Sequence, residues 1–255
     1  MSSWPRHRCT GPSLRRHVSA RVPRLPHVTP SGGAGDLTSA AQDYLKTIWT
    51  AQEWSSDKVS TKMLAEKLSV SASTVSEAIR RLADQGLVDH EKYGAVTLTD
   101  AGRSVALAMV RRHRLLETFL VNELGYGWDE VHDEAEILEH AVSDQMLDRI
   151  DAKLGHPTRD PHGDPIPAVD GQVPTPPARR LSDCQSGDEA TVARISDADP
   201  EMLRYFDDVG ITLDAPLRVL ARRDFAGLIS VAVQSGPRET SVDLGSPAAA
   251  AIWVV

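Results

Sequence analysis

Apolar residues recur every three or four positions across residues 38–53, and this spacing predicts a helix with one buried face. Two shorter helices are expected next, one after Ser60 and one over residues 72–85 after Ser71, because serine is a favoured helix N-cap. The link between these two helices, residues 69–72, is only four residues long. Two short helices joined so closely are typical of a helix-turn-helix.

A β-hairpin is predicted directly after the helix-turn-helix. Two short β-prone runs within residues 86–98 flank a Lys-Tyr-Gly turn. A helix-turn-helix followed at once by such a hairpin is a winged helix, and the combination is much more specific than either half. We therefore expect a winged helix at the start of the folded chain.

The second helix of the pair has the side chains expected of a recognition helix. Small polar residues at its start can donate hydrogen bonds to base edges and accept hydrogen bonds from them. The arginines that follow can bind phosphates. The candidate DNA-binding residues are Lys62, Ser71, Ser73, Thr74, Ser76, Glu77, Arg80 and Arg81, with Lys92 and Tyr93 at the wing tip. A winged helix used for protein contacts remains the alternative.

Three further helices are predicted after the hairpin. The first runs from Thr99 or Asp100 to about Leu124, and the others cover residues 129–142 and 143–154. The middle one carries an apolar stripe that suits contact with a second subunit, formed by Val131, Ala135, Leu138 and Val142.

The last hundred residues have a different pattern. Residues 155–177 contain seven prolines and few apolar positions, which predicts an extended, semi-rigid linker. A short helix is expected at residues 200–209. Short β-prone runs broken by Gly, Asp and Pro favour a small five-stranded barrel, with strands at residues 190–195, 217–221, 228–233, 240–244 and 252–255.

Composition bounds the possible classes. A chain of 255 residues can bury a sizeable core and hold one to three domains. It contains no apolar run long enough to span a bilayer, so no membrane association is expected. Cys9 and Cys184 argue against a disulfide framework or a cysteine metal cage and suit a reducing cytoplasm. The net charge of −8 argues against nonspecific nucleic-acid binding by the chain as a whole.

This charge is unevenly distributed. Residues 1–35 hold six arginines and no acid, and we interpret residues 1–36 as disordered. They are either a basic arm on DNA phosphates or an extension without effect on the fold, and the second is favoured because Pro-rich disorder offers no fixed geometry. Residues 129–151 carry nine acids and one base, a concentration of like charge that a bound cation would neutralise.

The same acidic region presents nitrogen and oxygen donors at helical spacing. Four donors fall on one stripe and two more form an upstream i, i+4 pair: His132, Glu136, Glu139 and His140, then His113 and Glu117. Donors repeated in this way are what a divalent metal site needs. A solvated acidic face with incidental histidines is the alternative, and the run alone does not decide between the two.

The ordered set of motifs resembles the diphtheria-toxin-repressor family of metal-activated bacterial repressors, most closely its manganese transport regulator branch. The motifs are A-Q-D-Y-L-K-T-I at 41–48, S-T-V-S at 73–76, V-H-D-E-A at 131–135, E-H at 139–140 and D-P-H-G-D-P-I-P at 160–167. The resemblance covers about residues 37–255 and implies a mainly α fold with a smaller β part. The implied domains are a winged helix at 37–100, a helical dimerisation and metal-binding domain at 101–154, a Pro-rich linker at 155–180 and an SH3-like (FeoA-like) β-barrel at 181–255.

The resemblance also implies two metal sites. The family's primary site falls on Asp43, Glu136, Glu139 and His140, and its second site on His113, Glu117 and His132, with Asp199 lent by the barrel and completed by Glu201 or Met202. Iron-responsive relatives have Met and Cys in place of Asp43 and Glu136, so the carboxylates here favour Mn²⁺, with Fe²⁺, Zn²⁺ or Co²⁺ as the other candidates. Lys46 stands where some members have a Glu ligand, so two well-separated sites are expected rather than a metal pair.

We therefore expect a cytoplasmic, manganese-dependent repressor of metal-homeostasis genes. It would bind a double-stranded DNA operator as a homodimer, with no membrane partner and no small-molecule substrate. The alternatives are an iron-dependent repressor of the same family, a winged-helix regulator that senses an organic ligand, and a metal with a purely structural role. An enzyme is not expected, since E-I-L-E-H at 136–140 only superficially resembles the inverted zinc-protease motif H-x-x-E-H.

Overall fold

The computed structural model describes residues 37–255 except residues 91–93 and 236–237. The disordered extension predicted for residues 1–36 lies outside the described residues. None of the helices in the described parts of the chain is long and apolar enough to cross a membrane.

The first elements form the predicted winged helix. They are α1 (Ser39–Glu53), α2 (Thr61–Lys67), α3 (Ala72–Asp84) and the antiparallel strands β1 (Val88–His90) and β2 (Val96–Leu98). The helices begin where the sequence places them because local caps hold their first turns. The side chains of Thr38, Ser60 and Ser71 each accept a hydrogen bond from a backbone N–H three residues later.

A three-helix unit follows, built on α4 (Asp100–Leu124), with α5 (Val131–Leu138) and α6 (Asp144–Lys153) packed against it. The N-terminal half of α4 also packs against α1, so one helix spans the cores of the winged helix and the helical unit. Helix α5 is shorter than predicted: the chain leaves it in a tighter turn, where the N–H of Ala141 donates to the carbonyl of Leu138. Glu139 caps its C-terminus and His140 lies beyond it.

The C-terminal part is a six-stranded antiparallel sheet with two helices. Its strands are β3 (Arg179–Arg180), β4 (Glu189–Ile195), β5 (Pro216–Arg223), β6 (Leu228–Ser235), β7 (Arg238–Gly245) and β8 (Ile252–Val254), in the order β3-β8-β4-β5-β6-β7. The sheet is open, which corrects the predicted closed five-stranded barrel: within the described residues, β3 pairs only with β8, and β7 only with β6. Helices α7 (Pro200–Asp208) and α8 (Ser246–Ala250) complete the domain, and the fold class is confirmed.

The Pro-rich region is partly buried. Residues 160–167, which we call the 160–167 segment, are nearly all inaccessible to solvent. The Asp160 carboxylate accepts hydrogen bonds from the backbone N–H groups of His162 and Asp164, which folds the segment into a compact turn. Arg114 and Arg111 of α4 donate to the carbonyls of Pro165 and Pro167. The predicted extended linker therefore does not describe this segment, which is packed on α4.

Candidate metal centre and nucleic-acid interface

The first group of candidate ligands joins α1 to the turn after α5. Asp43 lies on α1, and its Oδ1 is 2.8 Å from Nε2 of His140. The same nitrogen is 3.5 Å from Oε1 of Glu139, whose side chain is completely buried. Burial raises the pKa of Asp43, against the opposing effect of His140. Two carboxylates and an imidazole from separate elements thus converge at one place.

Lys46 lies inside this group. Its Nζ is 2.8 Å from Oε1 of Glu136 and 2.5 Å from Oε1 of Glu139, and its side chain is only 10% exposed. Burial acts to lower the pKa of Lys46, but the two carboxylates outweigh it and raise the pKa. Burial likewise acts to raise the pKa of Glu139, and His113 and Lys46 bring it below its usual range. Glu136, predicted for the primary site, therefore faces Lys46.

The second group lies beside the first. Nε2 of His113 is 3.0 Å from Oε1 of Glu117 and 3.2 Å from Nδ1 of His132. Glu136 completes the group, with Oε1 3.6 Å from Nε2 of His132 and 3.8 Å from Nδ1 of His113. Nδ1 of His113 is also 2.7 Å from Oε2 of Glu139. The two groups are therefore in direct contact, closer together than the separated sites predicted from the sequence.

A third group, Glu117, His162 and Asp197, brings together α4, the 160–167 segment and the C-terminal domain. Nε2 of His162 lies 2.7 Å from the carbonyl oxygen of Trp128, which can only accept, so Nε2 carries the proton. The other ring nitrogen, Nδ1, is buried without a hydrogen-bond partner among the described residues and lies 4.0 Å from Oε2 of Glu117. A buried ring nitrogen without a hydrogen-bond partner, beside a carboxylate, is a position suited to a metal ligand.

Asp197, and not the predicted Asp199, is the C-terminal carboxylate in this cluster. Oδ2 of Asp197 is 3.4 Å from Nδ1 of His132. Asp199 is exposed and caps α7, where its Oδ1 accepts from the N–H groups of Glu201 and Met202. The structure thus places Asp199 away from His132, and Glu201 and Met202, which were expected to complete the site, belong to the same first turn of α7.

The three groups are rich in carboxylates, and one open cavity is lined by Asp43 of the first group and by the members of the other two. Burial acts to lower the pKa of His113, but Glu117 and Glu139 outweigh it and raise the pKa to about 9. Hydrogen bonds to Asp197 and Glu117 raise the pKa of His132 to about 10. Protonated imidazoles and the Lys46 ammonium ion thus balance the carboxylates. A divalent metal bound there would take the place of these positive charges, because binding to imidazole requires the neutral ring, and the oxygen and imidazole donors fit such an ion.

The candidate DNA-binding residues lie together on α2 and α3. All eight that the structure describes are exposed: Lys62, Ser71, Ser73, Thr74, Ser76, Glu77, Arg80 and Arg81. Oγ of Ser71 is 2.8 Å from both Oγ of Ser73 and Oγ1 of Thr74, so these hydroxyls form one polar cluster at the start of α3. Arg81 pairs with Glu77 on the same helix. Lys92 and Tyr93, predicted at the wing tip, lie outside the described residues.

Comparison with known proteins matches each part of this architecture. The N-terminal DNA binding domain of the iron dependent repressor matches residues 36–96, and the metal binding and dimerisation domain of that repressor matches residues 99–168. The FeoA domain matches residues 179–255. The iron-dependent repressor IdeR of Mycobacterium leprae is 31% identical over 197 residues, which are 72% of this chain and 85% of that protein.

The chain belongs to the iron-dependent repressor family. The diphtheria toxin repressor of Corynebacterium diphtheriae is 36% identical over 135 residues, 53% of this chain and 59% of that protein. The resemblance to the diphtheria-toxin-repressor family is therefore confirmed. Matching relatives are transcriptional repressors, and by its family the chain is a metal-dependent, DNA-binding repressor.

Solved structures of this family include near relatives of the chain. A manganese-dependent transcriptional repressor in complex with manganese is 77% identical, with a TM-score of 0.81 over 84% of this chain and 99% of that one. The manganese regulator SloR is 34% identical, with a TM-score of 0.70 over 86% of this chain and 99% of that one. These neighbours support the manganese branch of the iron-dependent repressor family.

Three features of the cavity were not predicted from the sequence. His162 and Asp197 were not among the predicted ligands, and Lys46 was not expected to lie between the carboxylates. His162 was visible only as part of the D-P-H-G-D-P motif, inside a region that resembled a linker. A histidine within a run of prolines and aspartates is a signal that could have drawn attention to it. Asp197 lies in the same loop as Asp199, and the sequence contains no local signal that distinguishes these two acids.

Proposed function

We propose that the chain is a manganese-activated repressor that binds operator DNA as a homodimer in the cytoplasm. The observation that carries the proposal is the convergence of Asp43, Glu139 and His140, because it joins a helix of the winged helix to the helical unit. A cation held there would fix the position of the DNA-binding part relative to the dimerisation part. Two recognition helices of a dimer must be about 34 Å apart, or a multiple of that distance, to read successive major grooves.

The donor chemistry supports manganese. Every member of the three candidate groups offers a carboxylate oxygen or an imidazole nitrogen, and these harder donors suit Mn²⁺ better than a thiolate or thioether would. The 77% identical neighbour is described as manganese-dependent and in complex with manganese. A bound ion would supply a positive charge that ligands from separate elements contact together. The iron-dependent alternative uses the same family architecture, so metal choice is part of the test.

Asp43, Glu139 and His140 would form the primary site, and Glu117, His162 and Asp197 a second one. His113, His132 and Glu136 lie between the two and could contribute to either. The group of Glu117, His162 and Asp197 includes a residue from the C-terminal domain, Asp197, so metal there would hold that domain against α4. Such binding acts by population shift, because it favours the arrangement in which all ligands are close.

Operator binding at one fixed salt concentration tests the proposed function, because protein–DNA affinity depends steeply on salt. The full chain would first select operator duplexes from a random pool, once with Mn²⁺ and once with a chelator. Fluorescence anisotropy then compares the affinity with Mn²⁺, Fe²⁺, Zn²⁺ and chelator. We expect Mn²⁺ to raise the affinity by at least about tenfold over chelator, within the range typical of allosteric coupling.

Three results would contradict this function. Equal operator affinity in chelator and in Mn²⁺ would favour a winged helix that senses an organic ligand. A metal that raises the unfolding temperature while the affinity stays constant throughout the titration would be structural. Stronger activation by Fe²⁺ than by Mn²⁺ would favour the iron-dependent alternative.

The Arg80→Ala variant tests the DNA interface. Arg80 is exposed on α3, in the same helix face as the serine and threonine cluster at its start. An arginine that binds phosphate contributes about one released counterion, so we expect the slope of log affinity against log salt to fall by about 1. The loss of operator affinity should be similar across operator sequences. Arg159→Ala, which removes an exposed arginine paired with Asp214 in the C-terminal domain, is the control. An unchanged affinity and slope for Arg80→Ala would exclude this residue from the interface.

A further inference from the structure

Lys46 brings a fixed positive charge to the carboxylates of the candidate metal centre. Its Nζ contacts Oε1 of Glu136 at 2.8 Å and Oε1 of Glu139 at 2.5 Å. We infer that Lys46 is a tethered competitor of the metal: its ammonium ion holds Glu139 until manganese displaces it, and this sets the metal concentration at which the repressor is activated. The inference rests on the proposed function and adds a residue that controls its threshold.

The placement follows from the geometry of α1. Asp43 and Lys46 are three residues apart on this helix, so they project from the same face. Asp43 reaches His140, while Lys46 reaches Glu136 and Glu139. One face of α1 therefore presents both a metal ligand and a competing cation to the chain at and beyond the end of α5.

Competition centres on one oxygen atom. Oε2 of Glu139 is 2.7 Å from Nδ1 of His113, which leaves Oε1 to face both Lys46 and His140. A metal bound by Glu139 together with His140 would use this oxygen. The Lys46 ammonium ion lies within hydrogen-bonding distance of the same oxygen and would repel a metal ion there. Solvent screens this repulsion only weakly, because Glu139 is completely buried. Metal binding at Glu139 is thus an exchange of cations.

The ion pairs also tie the two parts of the chain together before metal arrives. A buried ammonium ion is costly to desolvate, and here two carboxylates offset that cost. Both belong to residues 136–139, whereas Lys46 belongs to α1, so the contact spans the same junction as the Asp43–His140 contact. Manganese must therefore replace an existing salt bridge. This requirement raises the Mn²⁺ concentration needed for activation.

The test is Mn²⁺ binding to the full chain by isothermal titration calorimetry, with Lys46→Met as the variant. Methionine keeps a long unbranched side chain and removes the charge. We expect the variant to bind Mn²⁺ at least about tenfold more tightly, since a unit charge a few ångströms away is removed. The Mn²⁺ concentration for half-maximal operator binding should fall by the same factor. Lys153→Met is the matched control, because Lys153 on α6 forms only an exposed pair with Glu123 on α4; this variant should bind Mn²⁺ as the wild type does.

Two further variants make the outcome decisive. Lys46→Arg keeps the charge and should bind Mn²⁺ no more tightly than the wild type, whereas Lys46→Gln removes it and should behave as Lys46→Met. Circular dichroism checks that each variant is folded. If Lys46→Met is unfolded, the Mn²⁺ affinity of Lys46→Gln tests the inference in its place. The inference is wrong if the neutral variants bind Mn²⁺ as weakly as the wild type or more weakly, or if both are unfolded. A wild-type chain that binds no Mn²⁺ would instead overturn the proposed function.

Discussion

Glu139→Gln is expected to abolish metal-dependent operator binding. Glu139 is the completely buried carboxylate that contacts Lys46, His113 and His140, so it touches both of the adjoining ligand groups. The amide removes a negative charge while the shape of the side chain is kept. Replacing groups that only support a metal ligand costs about 10- to 100-fold in affinity, so we expect a loss of about 100-fold or more for this ligand itself.

Calorimetry with Mn²⁺ and operator anisotropy measure this effect on the same preparation. Glu189→Gln provides the matched control, because Glu189 is an exposed glutamate at the start of β4, in the C-terminal domain. The control should bind metal and operator as the wild type does. Wild-type Mn²⁺ affinity in Glu139→Gln would show that this carboxylate is not a ligand.

Arg114→Ala is expected to lower the free energy of unfolding by about 3–5 kcal/mol, as is usual when one partner of a buried ion pair is removed. The guanidinium group donates to both carboxylate oxygens of Glu53, at 2.9 and 2.5 Å, and to the carbonyl of Pro165 at 2.7 Å. It also lies 3.7 Å from the Asp160 carboxylate and 3.5 Å from that of Asp164. Alanine would leave three buried carboxylates without this cation.

The network around Arg114 reaches every part of the described structure. Asp164 accepts hydrogen bonds from the indole N–H of Trp54, just after α1, and from Arg194 on β4, both at 2.6 Å. The Arg194 guanidinium lies over the rings of Trp54 and Trp253, 4.8 and 4.2 Å from their centroids. Loss of Arg114 should therefore weaken contacts among the winged helix, α4 and the C-terminal domain together.

Urea unfolding followed by circular dichroism measures the effect of Arg114→Ala in the presence of chelator, so that metal binding does not add to stability. Arg159→Ala is again the control. Arg159 binds both oxygens of Asp214 but is about half exposed, and such a pair contributes about 0–1 kcal/mol. If the two variants lose equal stability, the buried network does not hold the parts together.

The winged helix could be predicted from the sequence because its signals are local. Thr38, Ser60 and Ser71 cap their helices through backbone groups only three residues away, and the apolar spacing identifies the buried face of each helix. The end of α5 was harder to predict, because residues 139–142 keep helical spacing while the chain tightens into a turn. Residues that follow a helical pattern can thus lie outside the helix.

The contacts that could not be predicted join residues distant in sequence. Lys46 and Glu139 are 93 positions apart, and only their packing shows that a lysine lies among the ligands. Asp197 and Asp199 are both acids in one loop, and the fold alone decides that one approaches His132 while the other caps α7. The open sheet likewise depends on whether its edge strands meet, and strand propensity carries no information about that.

Manganese-dependent operator binding by Asp43→Ala tests most directly whether a metal joins α1 to the helical unit. Asp43 is the α1 carboxylate in the first ligand group, and its Oδ1 lies 2.8 Å from Nε2 of His140. Asp208→Ala, which removes an exposed acid at the end of α7, controls for the loss of one negative charge. We predict that Asp43→Ala has the same operator affinity in Mn²⁺ as in chelator, while Asp208→Ala keeps the wild-type response. A wild-type response of Asp43→Ala to manganese would contradict the account.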